Sequence, residues 1–252
     1  MQLSPLTNVF FLYSKILFPS ALTRRHILRR NRMKLSSLVS RALVAISGFL
    51  FVSSAFSQVG DGTDLDARVE KFLKSRKGTW HDLNVPESDG RLLYDIILKN
   101  KYKSALEIGT STGHSAIWIA WALSKTGGKL ITVEIDEDRY NTAVKNFEEA
   151  GLSKYIDARL ADAHDLVPKL EGPFDFVFSD ADKDWYTKYF VAVSPKLAVK
   201  GCFTAHNVRE RGWGSGGGTG EFLRYIKKRA NYTTTVNSAG AGVAISYKTA
   251  PD

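Results

Sequence analysis

The sequence predicts an α/β fold with a mostly parallel β-sheet and helices on both of its faces. From about residue 62 onward, short apolar runs alternate with segments whose apolar residues recur at helical spacing. This alternation is typical of sheets in which helices connect parallel strands. The last two β-rich runs are joined by residues 237–242 alone. Because that connection is too short for a parallel crossover, we expect these two strands to be antiparallel.

The individual elements follow from local patterns. In residues 139–150, Tyr140, Ala143 and Phe147 share one helical face, and Gly151 follows as a terminator. The predicted helices cover residues 65–77, a stretch beginning at 86, and residues 113–123, 139–150, 163–170, 185–197 and 218–229. The predicted strands cover residues 104–108, 130–135, 155–160, 174–180, 202–206, 232–236 and 243–247.

The composition is that of a globular protein, with 44% hydrophobic and 24% charged residues among 252. The single cysteine, Cys202, excludes an internal disulfide framework and a cysteine-based zinc site. The net charge of +9 is concentrated in residues 1–60, which contain eight Lys or Arg and no acid. The rest of the chain carries 27 basic against 26 acidic residues, so no nucleic-acid-binding face is expected.

Residues 1–57 are predicted to be a targeting segment, and residues 58–252 the folded domain. From Met33, a basic start with Lys34 and Arg41 precedes an uncharged apolar run of 15 residues, 42–56. Small residues at Ala55 and Ser57 then suit a cleavage site, which is the layout of a secretory signal peptide. An uncleaved membrane anchor and a mitochondrial-type presequence are the alternatives. The expected location is therefore exported, periplasmic or membrane-anchored, and cytoplasmic if the segment is not used.

The turn after the first strand indicates a nucleotide-like ligand. It reads Glu107-Ile-Gly109-Thr-Ser-Thr-Gly113-His-Ser115, with G-x-x-x-G spacing instead of the G-x-G-x-x-G of dehydrogenases. No G-K-[ST] phosphate loop follows. A glycine turn without a phosphate grip suits the methionine part of S-adenosylmethionine.

Two further strand ends fit the same ligand. Glu134 ends the second strand, 25 residues after Gly109, where a carboxylate can accept hydrogen bonds from both ribose hydroxyls. Asp162 and Ala163 follow the third strand, where an adenine amino group could be met. Each feature alone could be packing or a solvated strand end, but three on successive strands are stronger evidence.

Charged residues crowd the end of the fourth strand, in Asp180-Ala-Asp182-Lys183-Asp184. Such a cluster directly after a buried strand suggests ligands or a cleft, although a solvated helix start is the alternative. The fifth strand ends in His206-Asn207 and should lie beside the fourth. Asp180, His206 and Asn207 could therefore converge on one divalent cation, with Lys183 within reach as a base.

These motifs resemble the cation-dependent O-methyltransferases of the catechol and caffeoyl-coenzyme A type. The resemblance is carried by LEIGTSTGHS, ITVEIDEDR, ADAHDLVPKL and FVFSDADKDWY, and it is strongest over residues 85–207. It implies a Rossmann-like class I methyltransferase fold with a seven-stranded sheet whose last strand is antiparallel. It also implies S-adenosylmethionine as methyl donor, a hydroxylated small molecule such as a phenol or catechol as acceptor, and a homodimer.

The resemblance also implies roles for individual residues. Glu107, Gly109 and Ser115 would contact the methionine part of the cofactor, Glu134 the ribose, and Asp162 with Ala163 the adenine. Asp180 matches the first metal ligand, and Lys183 matches the lysine that takes the proton of the substrate hydroxyl. The remaining cofactor-binding residues would be Val85, Thr110, Ser111, Asp180 and Asp182.

One position departs from the family. The fifth strand of the family ends in Asp-Asn, and both residues bind the metal, whereas this chain has His206-Asn207. Replacing a carboxylate by an imidazole should weaken binding of magnesium or calcium and favour manganese, iron, cobalt or zinc. Loss of the metal is the alternative.

The sequence leaves two other functions open. Some bacterial relatives methylate a modified nucleoside in transfer RNA, although the nearly neutral domain argues against a nucleic-acid partner. A cofactor-binding protein without turnover is the second, and retention of Asp180 and Lys183 argues against it. Arg209, Glu210, Arg211 and Trp213 lead into the glycine-rich stretch 212–220, which is either a surface loop or a lid over the acceptor.

Overall fold

The structure is a computed structural model and describes residues 59–81, 83–211 and 216–252. The predicted targeting segment, residues 1–57, lies outside these residues. Among the described helices, none is both long enough and apolar enough to cross a bilayer.

The fold is a single seven-stranded sheet in the order β3-β2-β1-β4-β5-β7-β6. The strands from β1 to β5 pair in parallel, whereas β7 is antiparallel to both of its neighbours, β5 and β6. The predicted fold class is therefore confirmed, including the antiparallel final strand. The strands are β1 Ser104–Ile108, β2 Lys129–Glu134, β3 Ile156–Leu160, β4 Phe174–Ser179, β5 Leu197–His206, β6 Tyr232–Asn237 and β7 Val243–Lys248.

The helices lie close to where the sequence predicts them. The helix Glu137–Ala150 shows why. At its start, the side chain of Asp136 accepts a hydrogen bond from the backbone N–H of Arg139, and Gly151, with a φ of 78°, ends the helix. The helices are α1 Val59–Ser75, α2 Glu87–Asn100, α3 His114–Thr126, α4 Glu137–Ala150, α5 Ala163–Leu166, α6 Tyr186–Val193 and α7 Gly217–Lys227.

Four elements differ from their predicted bounds by more than three residues, and one is α1, which begins at Val59, six residues before the predicted start. The predicted helices over 163–170 and 185–197 are shorter α-helices continued by 3₁₀ turns, and a proline lies in each of the continuing turns Val167–Lys169 and Ser194–Lys196. The β5 strand begins at Leu197, five residues earlier than expected. Its pairing with β4 shifts register between Phe174 and Phe176, and this irregularity breaks up the pattern that sequence periodicity detects.

Apolar residues cover both faces of the sheet. One buried cluster joins Phe176 and Phe178 to helices α1 to α4, while the alternate residue Val177 belongs to a second cluster with α6 and α7. This alternation places the core on both sides of β4, as expected for a central strand of a doubly covered sheet. The carboxyl ends of the parallel strands are thereby held at one edge of the sheet.

Gly90→Ala tests the packing of α2 on α3. A Cβ at Gly90 would lie 2.3 Å from Cδ1 of the Trp118 ring. Although alanine favours a helix, this overlap should lower the free energy of unfolding by about 1–3 kcal/mol. Denaturant unfolding measures the change. The exposed substitution Asp95→Ala on the same helix should stay within about 0.5 kcal/mol, and equal effects of the two would contradict this packing.

Candidate active site

A cavity of about 600 Å³ opens at the carboxyl edge of the parallel strands. Its wall contains residues that follow β1, β2, β3, β4 and β5, which is where open α/β sheets bind ligands. All predicted site residues line this cavity except Val85 and Glu107. The sequence therefore identified most of the wall.

The turn after β1 lies directly against the end of β4. Gly109 has a φ of 96°, and a Cβ there would lie 2.9 Å from backbone atoms of Asp180 and Ala181. The N–H of Asp180 donates to the carbonyl oxygen of Ile108 at 2.8 Å. Glycine is thus required both for the left-handed backbone and for the close approach of two chain segments. The turn after β1 and Asp180 form one wall as a result.

Glu134, at the end of β2, organises the neighbouring backbone. Its Oε2 accepts from the N–H of Ser111 at 2.7 Å, and its Oε1 accepts from Ile135 and Asp136, each at 3.0 Å. A carboxylate offers about four acceptor positions, so these three bonds leave capacity for a ligand hydroxyl. The side chain lines the cavity although it is only 7% exposed. The arrangement fits the predicted contact with a ribose.

Asp162 and Asp182 hold the next part of the wall. Each side chain accepts a backbone N–H two residues further on, from His164 at 2.8 Å and from Asp184 at 3.0 Å. The His164 ring lies between them, with Nδ1 3.2 Å from Asp162 and Nε2 3.5 Å from Asp182. It also packs on Trp185 at 4.0 Å between ring centroids. His164 was not among the predicted site residues.

Glu107 lies beneath the cavity and not in its wall. It is fully buried, and its Oε2 accepts from the Thr132 hydroxyl at 2.5 Å. Burial raises the pKa of Glu107 to about 8, even though hydrogen bonds from Ser115 and Thr132 favour the ionised form. Its Oε1 has no hydrogen-bond partner among the described residues.

Val85 lies on a different cavity. It is buried beside Trp80 and His114, and its carbonyl oxygen lies 2.9 Å from Nδ1 of His114. Pro86 lines both this cavity and the site cavity, so Val85 adjoins the site, and its predicted role in cofactor binding stays a prediction.

Asp180 and Lys183 form an ion pair on the wall of the site cavity. Lys183 Nζ lies 2.5 Å from Oδ1 of Asp180, whose side chain is 9% exposed. The Lys183 ammonium also lies 5.3 Å from the centre of the buried Tyr186 ring. The two predicted catalytic residues are therefore together and reach the same space.

His206 is held between two carboxylates. Its Nε2 lies 2.9 Å from Oδ2 of Asp89, the buried acid in the first turn of α2. Its Nδ1 lies 3.0 Å from Oδ2 of Asp180, as an ion-pair contact without the direction of a good hydrogen bond. The three side chains are between 2% and 9% exposed. A charged group so deeply buried is tolerated only with such partners.

The charges of this cluster shift its protonation. Burial alone would lower the pKa of His206, but Asp180 and Asp89 outweigh that effect and raise the pKa to about 9. Burial would likewise raise the pKa of Asp89, and hydrogen bonds from His206 and Ala241 more than compensate and lower it. Contacts with two carboxylates thus favour the charged form of the His206 ring.

The predicted divalent cation does not fit this arrangement. Asp180, His206 and Asn207 do meet at one edge, as expected from the adjacent strands β4 and β5. However, the His206 ring already faces a carboxylate oxygen on each side, and Asp180 is already paired with Lys183 and His206. Within residues 59–81, 83–211 and 216–252, no group of three His, Cys, Asp or Glu has metal-binding geometry.

Sequence reasoning missed Asp89, the partner that decides the state of His206. Its position next to Glu87 and Pro86 indicates only an acidic first turn of a helix. Since 117 residues separate Asp89 from His206, no local spacing could have paired them. Arg139 also lines the cavity, although its position within a helix gave no hint of that.

The segment after Asn207 is described only in part. Arg209 donates to the carbonyl oxygen of Gly240 at 2.9 Å, and Glu210 pairs with Lys227 at 2.5 Å. Residues 212–215, including Trp213, lie outside the described residues, so the lid hypothesis stays a prediction. Tyr186 proves to be a core residue, since it is fully buried and donates to the backbone of His206.

The fold and the residues of the cavity can now be compared with known families. A family model described as O-methyltransferase matches residues 63–212. The chain belongs to this O-methyltransferase family and is a methyltransferase by its membership.

Particular relatives refine the comparison. The chain is 41% identical over 112 residues to a catechol O-methyltransferase of Niastella koreensis, a match that covers 43% of this chain and half the length of that protein. It is 30% identical over 169 residues to a flavonoid 3',5'-methyltransferase of Vitis vinifera, covering 65% and 70% of the two chains. A caffeoyl-CoA O-methyltransferase of Petroselinum crispum is 27% identical over 180 residues, covering 69% and 74%.

Solved structures share the fold. An O-methyltransferase from Bacillus cereus, solved in complex with SAH, has a TM-score of 0.62 at 24% identity and covers 72% of this chain and 90% of its own. The O-methyltransferase TomG from Streptomyces achromogenes, in complex with SAM, has the same TM-score and identity, covering 73% and 90%. These similarities support the seven-stranded fold described above.

The His206 cluster predicts a pH-dependent stability. Because the pKa of His206 rises from 6.5 to about 9 on folding, its pairing stabilises the protein fully below pH 6.5. That contribution, on the order of 3 kcal/mol, should be lost as the pH rises from 6.5 to about 9. Asp89→Asn removes one carboxylate, so this variant should be less stable at pH 6.5 and its stability should fall less steeply.

Denaturant unfolding of both proteins across pH 6 to 9.5 measures this difference. Glu107, whose pKa is raised to about 8, also loses its proton in this range, and this lowers the stability of the folded state. The effect is the same in wild type and in Asp89→Asn. The exposed substitution Asp95→Asn on the same helix should leave the wild-type slope unchanged. Parallel pH profiles for wild type and Asp89→Asn would show that His206 is not the titrating group.

Proposed function

We propose that this enzyme transfers a methyl group from S-adenosylmethionine to a hydroxyl group of a small phenolic molecule. One observation carries the proposal: a single cavity has Glu134 in one part of its wall and the Asp180–Lys183 pair in another. The first can bind a ribose, and the second can receive a proton. A methyltransferase acting on oxygen needs both in one space.

The residues of the wall fit S-adenosylmethionine. Glu134 keeps acceptor capacity for a ribose hydroxyl, and the Gly109 turn allows a ligand to approach the backbone closely. Asp162, as a helix cap, and the ring of His164 form a surface suited to a purine. The ligands named for the Bacillus and Streptomyces proteins support the same choice.

When bound, S-adenosylmethionine supplies an electrophilic methyl group on a sulfonium sulfur. The acceptor oxygen attacks that carbon in line, so a C–O bond forms as the C–S bond breaks, and the hydroxyl proton must leave. Lys183 would first release its own proton to solvent; its amine would then take the hydroxyl proton and become again the ammonium that pairs with Asp180 on the cavity wall. The cavity walls keep the acceptor close to the methyl carbon, which lowers the barrier by positioning.

The acceptor class follows from the wall near His206 and from the relatives. Pro86 and Ala241 give this part of the cavity apolar surface. Both are held beside Asp89: the carbonyl oxygen of Pro86 accepts from the Asp89 N–H, and the N–H of Ala241 donates to the Asp89 carboxylate. A flat aromatic ring can lie on such a surface while its hydroxyl points to Asp180. The names of the relatives, catechol, flavonoid and caffeoyl-CoA methyltransferases, point to the same chemistry.

Calorimetric titration of S-adenosylmethionine into the full chain tests the cofactor. Wild type should bind, and Glu134→Gln should raise Kd roughly 10- to 100-fold, since a hydrogen bond to a charged acceptor is lost. Glu137→Gln, an exposed acid three residues away, should bind like wild type. Absence of binding by wild type would refute the cofactor assignment.

A turnover assay with catechol tests the proton acceptor. Lys183→Ala should lower kcat by about 10²- to 10⁴-fold while changing the Kd of S-adenosylmethionine only a few-fold. Lys188→Ala, which removes a lysine stacked on Trp185 outside the cavity wall, should keep the wild-type kcat. Equal losses of turnover and cofactor affinity in Lys183→Ala would mean that Lys183 has a structural role.

A further inference from the structure

We infer that His206 occupies the place of a divalent cation in this site, and that the enzyme acts without a metal. The inference starts from the buried row Asp89–His206–Asp180, which joins the first turn of α2 to the ends of β5 and β4. The part that concerns turnover rests on the proposed function, whereas the part that concerns metal binding does not.

Both ring nitrogens of His206 face a carboxylate, Nε2 through a hydrogen bond and Nδ1 through an ion-pair contact. Nε2 lies 2.9 Å from an oxygen of Asp89, and Nδ1 lies 3.0 Å from an oxygen of Asp180. A nitrogen lone pair facing an ionised carboxylate would bring two acceptors together, so each nitrogen carries a hydrogen. A metal ligand needs a nitrogen lone pair, and this ring has none to offer.

The oxygens of Asp180 are also committed. Oδ1 contacts Nζ of Lys183 at 2.5 Å, and Oδ2 contacts the His206 ring. The remaining carboxylate, Asp89, accepts from His206 and from the N–H of Ala241 at 2.9 Å. A cation entering here would have to displace Lys183 or His206 from a contact that is already charge-assisted.

The charges of the cluster balance without a metal. Asp89 and Asp180 contribute two negative charges, and Lys183 and the His206 ring contribute two positive charges. A divalent cation binds where carboxylates are in excess, because their charge offsets its dehydration. With no excess here, a cation gains little in exchange for its water shell.

The same charges can serve the acceptor. His206 and Lys183 both line the cavity and present positive charge beside Asp180. A phenolic oxygen placed there would be stabilised as it loses its proton and becomes negatively charged. A bound cation stabilises such an oxygen in the same way. His206 acts in this account as a fixed charge held in position by Asp89.

Binding of Mn²⁺ alone, measured by the loss of the free-ion electron paramagnetic resonance signal, tests the inference on the chelator-treated full chain. Wild type should bind no stoichiometric Mn²⁺. His206→Asp removes the imidazolium and adds a carboxylate, so one Mn²⁺ per chain should bind roughly ten-fold or more tightly than to wild type. His206→Asn is the matched control, since it removes the ring without adding charge, and it should bind more weakly than His206→Asp.

Several outcomes would overturn the inference. One is tight binding of a single Mn²⁺ by wild type that Asp180→Asn abolishes. Another is a folded His206→Asp protein that binds no more Mn²⁺ than wild type. The effect of a chelator on wild-type turnover needs no variant, so the inference stays testable even if a substitution prevents folding.

Turnover measured with and without a chelator is the second test of the inference. Wild-type turnover should be unchanged by a chelator, and a strict requirement for added metal would overturn the inference. Failure of the proposed function is distinguishable, because it would appear as no cofactor binding or no turnover with and without metal. The Mn²⁺ measurement would still decide the cation question in that case.

Discussion

The carboxylate of Asp180 is the charge on which the arrangement of the site depends. It stands at the end of a strand whose preceding residues are buried, and it is itself only 9% exposed. A carboxylate in that position requires compensation. Lys183, three residues on, supplies one positive charge, and His206 from the neighbouring strand supplies another.

Much of this was accessible from the sequence because it depends on local pattern. Alternating apolar runs predicted the strands and their order of connection, and parallel strands must end at a common edge. The approach of Gly109 to Asp180 follows from that geometry, since β1 and β4 are neighbours in the sheet. Residues on strand ends, including Glu134, Asp162 and His206, were therefore placed correctly in the cavity wall.

The parts that sequence could not supply are long-range pairings. His206 was predicted to be a metal ligand because the sequence places only Asp180 and Asn207 beside it, on adjacent strand ends. A carboxylate and an amide next to an imidazole suggest a metal site. Asp89 arrives from a helix far away in the chain, and its backbone surroundings are equally remote. Val85 lies on a neighbouring cavity that shares Pro86 with the site cavity, and its predicted contact with the cofactor stays a prediction. Burial and partner identity, not residue type, decide what such groups do.

Asp89 also links the site to a part of the fold outside the parallel strands. One of its oxygens accepts from the N–H of Ala241, in the turn between β6 and β7, and Gly240 beside it has no room for a side chain against that carboxylate. The first turn of α2, the end of β5 and the β6–β7 turn thus converge on one buried acid. A freely exchangeable cation would leave these segments dependent on metal concentration. The His206 ring, hydrogen-bonded to Asp89 and 3.0 Å from Asp180, is part of the chain, so its contacts with these segments need no dissolved ion.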